Sequence, residues 1–190
     1  MDAPGSDETL LLRFAAGEAP AFETLYERYE LPLWRYILRH CSDRAAAEEI
    51  VQEVWFAVAR EAVRFRSDGR FRPWLFTMAR NRVIDRARTT HRHASLDVAP
   101  AGSELPLGEL VADEQGLPPD RDAERLEQGR ALLAALAQLP PEQREAFVLQ
   151  VDGGLSVEEI GAVTGVGYET VKSRLRYARD RLKTSLRDYA

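Results

Sequence analysis

Ten arginines fall between Arg60 and Arg92, with no lysine among them and only Glu61, Asp68 and Asp85 as local acids. A second basic cluster, Lys172, Arg174, Arg176, Arg179, Arg181, Lys183 and Arg187, stands against the single acid Asp180. Side chains of this kind make and break no covalent bonds; they grip polyanions. A guanidinium is a planar fork that meets phosphates and guanine edges through paired hydrogen bonds. The first cluster is interleaved with the aromatics of Phe71-Arg72-Pro73-Trp74-Leu75-Phe76. Rings set among cations suit single-stranded or distorted DNA, because unstacked bases lie on the rings while the backbone meets the charges. Phe71, Trp74, Leu75 and Met78 also recur at helical spacing, so the same rings fit a hydrophobic core, and for Trp74 the core is the favoured assignment.

Residues for catalysis are scarce. His40, His91 and His93 are the only histidines and Cys41 the only cysteine. His40-Cys41 and His91-x-His93 are the sole candidate ligand pairs, both at predicted helix ends and without further Cys or His partners, so no metal site and no cofactor is expected. Neither a nucleophile beside an oriented base nor a Gly-rich phosphate loop is present. The chain is expected not to be an enzyme.

The elements that position the bases follow from caps and periodicity. Ser156 and Glu159 form a capping box, and Ile160 and Val163 give a short apolar face. Gly165 suits the left-handed turn that ends such a helix. Val171, Leu175, Ala178 and Leu182 then repeat at helical spacing. Two helices joined by a Gly turn, the second one basic, is the helix-turn-helix pattern, whose second helix enters the DNA major groove. The apolar face turned inward leaves Lys172, Ser173 and Arg176 outward.

Upstream, Ser6-Asp7-Glu8 predicts the capped start of a first helix with Leu10, Leu11 and Phe14 inward. From about Ala19, Phe22, Leu25, Tyr26, Tyr29, Leu33, Trp34 and Ile37 form a second stripe, and Pro32 within it predicts a bend or an interruption. Ser42-Asp43 caps the next helix, whose core side is Ala47, Ile50, Val51, Val54, Trp55 and Val58. Its other side carries Glu49, Gln52, Glu53 and Phe56. A Phe rimmed by carboxylates reads either as a protein-binding anchor or as a stray surface ring. Pro73 fits the first turn of the arginine-rich helix. In the C-terminal part, Leu126, Leu132, Leu133, Leu136 and Leu139 predict one helix stopped by Pro140-Pro141. A second helix follows from Glu142 to Val151 with Phe147, Val148 and Val151 inward.

Between the two basic parts, Ala94 to Gly129 holds nine acids against Arg121 and Arg125, and Pro100, Gly102, Pro106, Gly108, Gly116, Pro118 and Pro119 deny regular structure up to about Asp120. A flexible acidic linker is expected there. It reads as a plain spacer, or as charge that discourages stray DNA binding or threads a basic channel. The fold class is therefore all-α, two small helical domains at 1–93 and 121–190 joined by a linker at 94–120. Over its 190 residues the chain is net −5 with one cysteine, which fits a reducing cytoplasm. No apolar run approaches the roughly 20 residues of a membrane span, and no membrane insertion is expected.

AAAEEIVQEVW, FRPWLFTMARNRVIDRARTTHR, LPPEQREAFVLQ and LSVEEIGAVTGVGYETVKSRLRYARDRL, in this order, resemble the successive signatures of the extracytoplasmic-function (ECF) sigma factors, the small subunits that start bacterial transcription. The resemblance covers nearly the whole chain except the linker. It implies that Glu48, Glu49, Ile50, Gln52, Glu53 and Phe56 dock on the clamp coiled coil of the largest subunits of core RNA polymerase. The family usually has an acid where this chain has Ala46. The resemblance further implies that the loop with Arg64, Arg66 and Arg70 captures a flipped base of the minus-ten promoter element. Arg80, Asn81, Arg82, Asp85, Arg86 and Arg88 would read and melt that element, at an unstacking cost of a few kcal/mol. Thr170, Lys172, Ser173, Arg174, Arg176 and Arg179 would read the minus-thirty-five element of the promoter DNA. An anti-sigma factor is an implied partner, and the implied linker path lies near the polymerase active site. The competing reading is a helix-turn-helix regulator that binds duplex DNA alone, its N-terminal half serving dimerisation or sensing; ten arginines in that half weigh against it. A helical protein-only adaptor leaves both basic stretches unexplained.

Overall fold

Side-chain caps start the helices where the residue pattern places them. Ser6 Oγ accepts the Thr9 N–H at 3.2 Å, and Asp43 accepts the Ala46 N–H at 2.8 Å. At Ser156 both halves of the capping box form: its hydroxyl accepts the Glu159 N–H at 3.2 Å, and the Glu159 carboxylate accepts the Ser156 N–H at 2.9 Å. The computed structural model describes residues 5–41, 43–66, 69–94 and 119–187, with side chains described for all of these but 90–94 and 119–126. Its helices are α1 (Asp7–Ala15), α2 (Ala19–Leu38), α3 (Arg44–Glu61), α4 (Phe71–Ala94), α5 (Pro119–Ala137), α6 (Pro141–Val151), α7 (Val157–Thr164) and α8 (Tyr168–Ser185), with a 3-10 turn at Ala62–Arg64. No strand occurs among the described residues. None of the described helices is long and apolar enough to cross a membrane. The expected acidic linker falls mostly on residues 95–118, outside the described residues.

Helix α2 runs through Pro32 without interruption. Proline inside a helix costs about 3 kcal/mol by deleting a hydrogen bond and crowding the preceding turn. Leu25, Leu33, Tyr36 and Ile37, all fully buried on this helix, offset that cost. In α3 the expected core side is buried, except that Val51 is only half-buried, and Ala46 and Ala57 join it. Val151 corrects an expectation: it is exposed, and Ala146, Val148 and Leu149 are the residues α6 turns inward. Position 151 is the last helical residue, where the chain turns into Asp152-Gly153-Gly154 and the inward stripe has already passed.

Two glycines make the helix-turn-helix possible. Gly165 ends α7 at φ 74°, a conformation in which a side chain would crowd the backbone. A Cβ on Gly161 would lie 2.9 Å from the Val166 carbonyl oxygen, so any larger residue would push the turn away from α7. Val171, Leu175, Ala178 and Leu182 are all buried along α8, as the periodicity predicts.

The two helical units are not separate bodies. One hydrophobic cluster runs from Leu25, Leu33 and Ile37 through Phe71, Leu75, Phe76 and Ala79 into Ala146, Leu149, Leu155 and Ile160. Phe76 is completely buried; it meets Tyr36 edge-on at 5.4 Å and approaches the Gly153 backbone. A Cβ at Gly153 would sit 2.6 Å from the Leu149 carbonyl and 3.3 Å from the Phe76 ring, so this junction accepts only glycine.

Candidate nucleic-acid interface

The basic helix α8 presents its bases on the side opposite its buried stripe. Lys172, Arg176 and Arg179 are exposed, as is Thr170, while Ser173 and Arg174 are half-buried. The Lys172 ammonium lies 5.9 Å from the Tyr168 ring centre and the Arg176 guanidinium 4.8 Å from that of Tyr177. Both rings are themselves exposed. Stacking on a ring orients a cation at small cost while leaving it free to meet DNA. Arg179 differs from its neighbours, since it donates to the Gln150 side chain of α6.

On the other unit, Glu48, Glu49, Gln52, Glu53 and Phe56 are all exposed along one side of α3, and Phe56 is 75% exposed. A large ring left this open is unusual unless something covers it. Ala46 is buried beneath the first turn, so this side begins at Glu48. The 3-10 turn and the segment after it carry Arg64, Arg66 and Arg70, all exposed. Arg64 meets Glu61 at 3.2 Å. The Glu61 carboxyl is held below its ordinary range, first by the Arg60 hydrogen bond and then by Arg64.

The arginines of α4 do not form one free surface. Arg82 lies 3.6 Å from Glu53 and Arg86 2.9 Å from Glu49, both across to α3. The two patches expected to serve separate partners, the acidic side of α3 and the basic side of α4, are therefore one continuous face. Arg88 and Asp85 face each other along the helix at 3.9 Å, and Asn81 is exposed. Such exposed pairs contribute roughly 0–1 kcal/mol each, which leaves them free to exchange partners. Arg80 turns the other way: it donates to Glu145 of α6 at 2.8 Å. Arg70 likewise meets Glu159 at 3.1 Å. Burial raises the Glu159 carboxyl, but the Ser156 N–H and Arg70 outweigh it, and the net shift is downward. Trp74 is half-buried, edge-on to Phe65 at 5.1 Å and tilted on Phe71 at 6.0 Å. It serves as the base of this loop and is neither wholly core nor a free stacking platform.

Several residues absent from the sequence-level site organise this region. Arg72 donates to the Tyr29 hydroxyl at 3.1 Å and to the Gly154 carbonyl at 2.9 Å. Tyr29 donates in turn to Asp7, which also pairs with Arg28 at 2.7 Å. Burial and the Asp7 carboxylate push the Tyr29 hydroxyl up to about 12, so it remains a donor. The signal available in the sequence was weak, because Arg72 is one arginine among ten. Cys41 is buried and His40 half-buried, and the His40 Nδ1–H donates to the Tyr36 carbonyl at 2.7 Å. The side chains of His91 and His93 lie outside the described residues.

Residues 25–93 match the family model of sigma-70 region 2, and residues 129–182 that of sigma-70 region 4. The chain is 35% identical over 180 residues to the ECF RNA polymerase sigma factor SigL of Mycobacterium tuberculosis, covering 92% of this chain and 93% of that protein. It is 29% identical over 174 residues to the ECF RNA polymerase sigma factor SigW of Bacillus subtilis, covering 90% and 92%. Among solved structures, CnrH in complex with the cytosolic domain of CnrY has a similar fold at TM-score 0.67 and 23% identity, covering 98% of this chain and 100% of that one. The sigma factor RpoE in complex with the anti-sigma factor NepR from Bartonella quintana gives TM-score 0.66 at 24% identity, covering 87% and 98%. The fold and the two basic elements define a sigma-70-type transcription initiation protein. Within that class the chain belongs to the ECF RNA polymerase sigma factors, and it directs promoter-specific initiation of transcription through RNA polymerase.

Proposed function

We propose that the work is divided among three surfaces of one chain. Glu48, Glu49, Gln52, Glu53 and Phe56 dock on the largest subunits of core polymerase. Arg64, Arg66 and Arg70, with Arg80, Asn81, Arg82, Asp85, Arg86 and Arg88, read and open the minus-ten element. Thr170, Lys172, Ser173, Arg174, Arg176 and Arg179 read the minus-thirty-five element. Residues 1–93 and 121–190 act as the two working domains, with 94–120 as the connection between them. Catalysis stays with the polymerase, and the site of action is the cytoplasm, where the polymerase works.

The observation that carries the reading is the side of α3, where an almost uncovered Phe56 stands among carboxylates directly beside the exchangeable Arg82 and Arg86 of α4. A hydrophobic anchor rimmed by charge is how protein interfaces are built, and the arginines next to it bring DNA to the same place. An anti-sigma factor that covers these surfaces is the expected regulator, since similar solved chains are sigma factors held by such partners. The deciding experiment is run-off transcription with bacterial core polymerase on a library of randomised promoters, with and without the protein. Selective transcripts that vanish with Asn81→Ala are the expected result. Footprints on duplex DNA without polymerase, and no stimulation of it, would replace this reading with a stand-alone regulator.

A further inference from the structure

The arginine-rich helix α4 starts at Phe71 without an acceptor of its own. The residue before it is Arg70, whose side chain only donates, and the first amides of a helix have no partner within it. Pro73 has no N–H, so Phe71 and Arg72 carry the amides that need one. Glu8, 63 residues earlier in the first turn of α1, supplies an acceptor: its carboxylate takes the Phe71 N–H at 3.0 Å. A carboxylate at this place also meets the positive end of the helix dipole. Phe71 is fully buried, so its amide has little water to turn to once the carboxylate is removed.

The neighbouring Asp7 makes a second link to the same turn of α4. It accepts from Tyr29, and Tyr29 accepts from Arg72 Nε at 3.1 Å. The Phe71 ring stands edge-on to Tyr29 at 5.3 Å. Leu10 and Leu11, both buried, hold α1 itself in the core.

What α1 holds, the loop before α4 inherits. Trp74, one turn into α4, leans on Phe71 and stands edge-on to Phe65. The Gly69 N–H closes back on the Arg66 carbonyl at 2.9 Å. A Cβ on Gly69 would lie 3.1 Å from that same oxygen and 3.4 Å from the Phe65 ring. Arg64, Arg66 and Arg70 project from this frame. Asp7, Glu8, Gly69, Arg70 and Arg72 line one open cleft, and α1 also packs on the 3-10 turn that carries Arg64. Both ends of the loop are therefore seated on α1.

We propose that Glu8 is a positioning residue for the minus-ten reader: from α1 it fixes the start of α4 and, through Phe71, Trp74 and Phe65, the loop that carries Arg64, Arg66 and Arg70. The pocket for a flipped base is then formed before DNA arrives. This role rests on the minus-ten surface proposed above. Glu8 touches no nucleotide in it and acts through the Phe71 backbone. A preformed pocket spares the ordering cost that a loose loop adds on binding.

The test uses the full chain assembled with core polymerase. The probe is the single-stranded minus-ten segment of a promoter selected by run-off transcription, carrying 2-aminopurine, whose emission reports an unstacked base. Glu8→Ala should weaken binding of this strand about fivefold, the factor a lost helix cap is worth, and lower the emission of the captured base, while affinity for core polymerase stays at wild type. Glu8→Gln, which keeps an oxygen for the Phe71 N–H, should restore most of the binding. Tyr29→Phe cuts the link from Asp7 to Arg72 and leaves Glu8 in place; it should weaken the strand about threefold, and it decides the matter if Glu8→Ala does not fold. Wild-type strand binding in the folded variant, an equal fall in core affinity, or no rescue by Glu8→Gln would overturn the positioning role. Strand binding unmoved by Arg64→Ala with Arg66→Ala would instead overturn the minus-ten surface itself.

Discussion

Arginine and carboxylate meet in two regions of this molecule, and the surroundings decide what each meeting does. At the junction of the two units, Arg39 and Asp152 lie 2.7 Å apart and are 15% and 6% exposed. On the α3–α4 face, Arg86 and Glu49 are 49% and 60% exposed at a similar 2.9 Å. Water screens the second pair, so it contributes little and costs little to break. The first has lost its water, and removing one partner strands the other in a poorly solvated place. The same two residue types thus make a structural fastener in one region and an exchangeable binding surface in the other.

Substitutions separate the two behaviours. Phe76→Ala should lower the unfolding free energy by about 3–5 kcal/mol, because a fully buried ring leaves a cavity shared by both units; chemical denaturation reads the change. On the open surfaces the effect should appear in binding and not in stability. Lys172→Ala with Arg176→Ala should weaken promoter binding by the holoenzyme by roughly 1–3 kcal/mol for each lost base contact, with denaturation unchanged. Glu49→Gln should shift the unfolding free energy by less than about 1 kcal/mol, and a larger loss would mean that the α3–α4 face is structural after all.

Acidification distinguishes the regions further. Burial lowers the His40 imidazole, opposed by its bond to the Tyr36 carbonyl and by Glu145, and reinforced by Arg144 and Arg39. The folded chain therefore holds His40 neutral where the unfolded chain, with an ordinary value of about 6.5, already binds a proton. Stability from this group is complete above about 6.5 and is lost as pH falls toward the folded value. Asp152 has the opposite sign: its raised value makes the folded chain bind more protons just above the ordinary carboxylate range, so its contribution falls as pH rises through that lower window. The melting temperature should drop between pH 7 and pH 5.5, and His40→Asn, which keeps a donor for the Tyr36 carbonyl, should flatten the drop. An unchanged slope in that variant would place the acid sensitivity elsewhere than at His40.

Much of this was legible in the residues. The caps at Ser6, Asp43 and Ser156, the turn at Gly165 and the four inward positions of α8 all follow from local rules, and local rules operate within one turn of chain. The exposed side of α3 was legible too, because a helix displays its periodicity whatever it packs against. Arg80, Phe76 and Val151 were not. Phe76 looked like one more ring in a basic run, yet it closes the junction between the units. Val151 continued an apolar stripe, yet the chain leaves the helix there.

Helix type, helix ends and the inward side of each helix rest on contacts between neighbours in sequence, and those were written in the order of the amino acids. The pairing of Arg39 with Asp152, of Arg80 with Glu145, and of the α3 acids with the α4 bases joins residues far apart in the chain. Which of many arginines met which carboxylate depended on how two helical units packed, and no local pattern of charge carries that information.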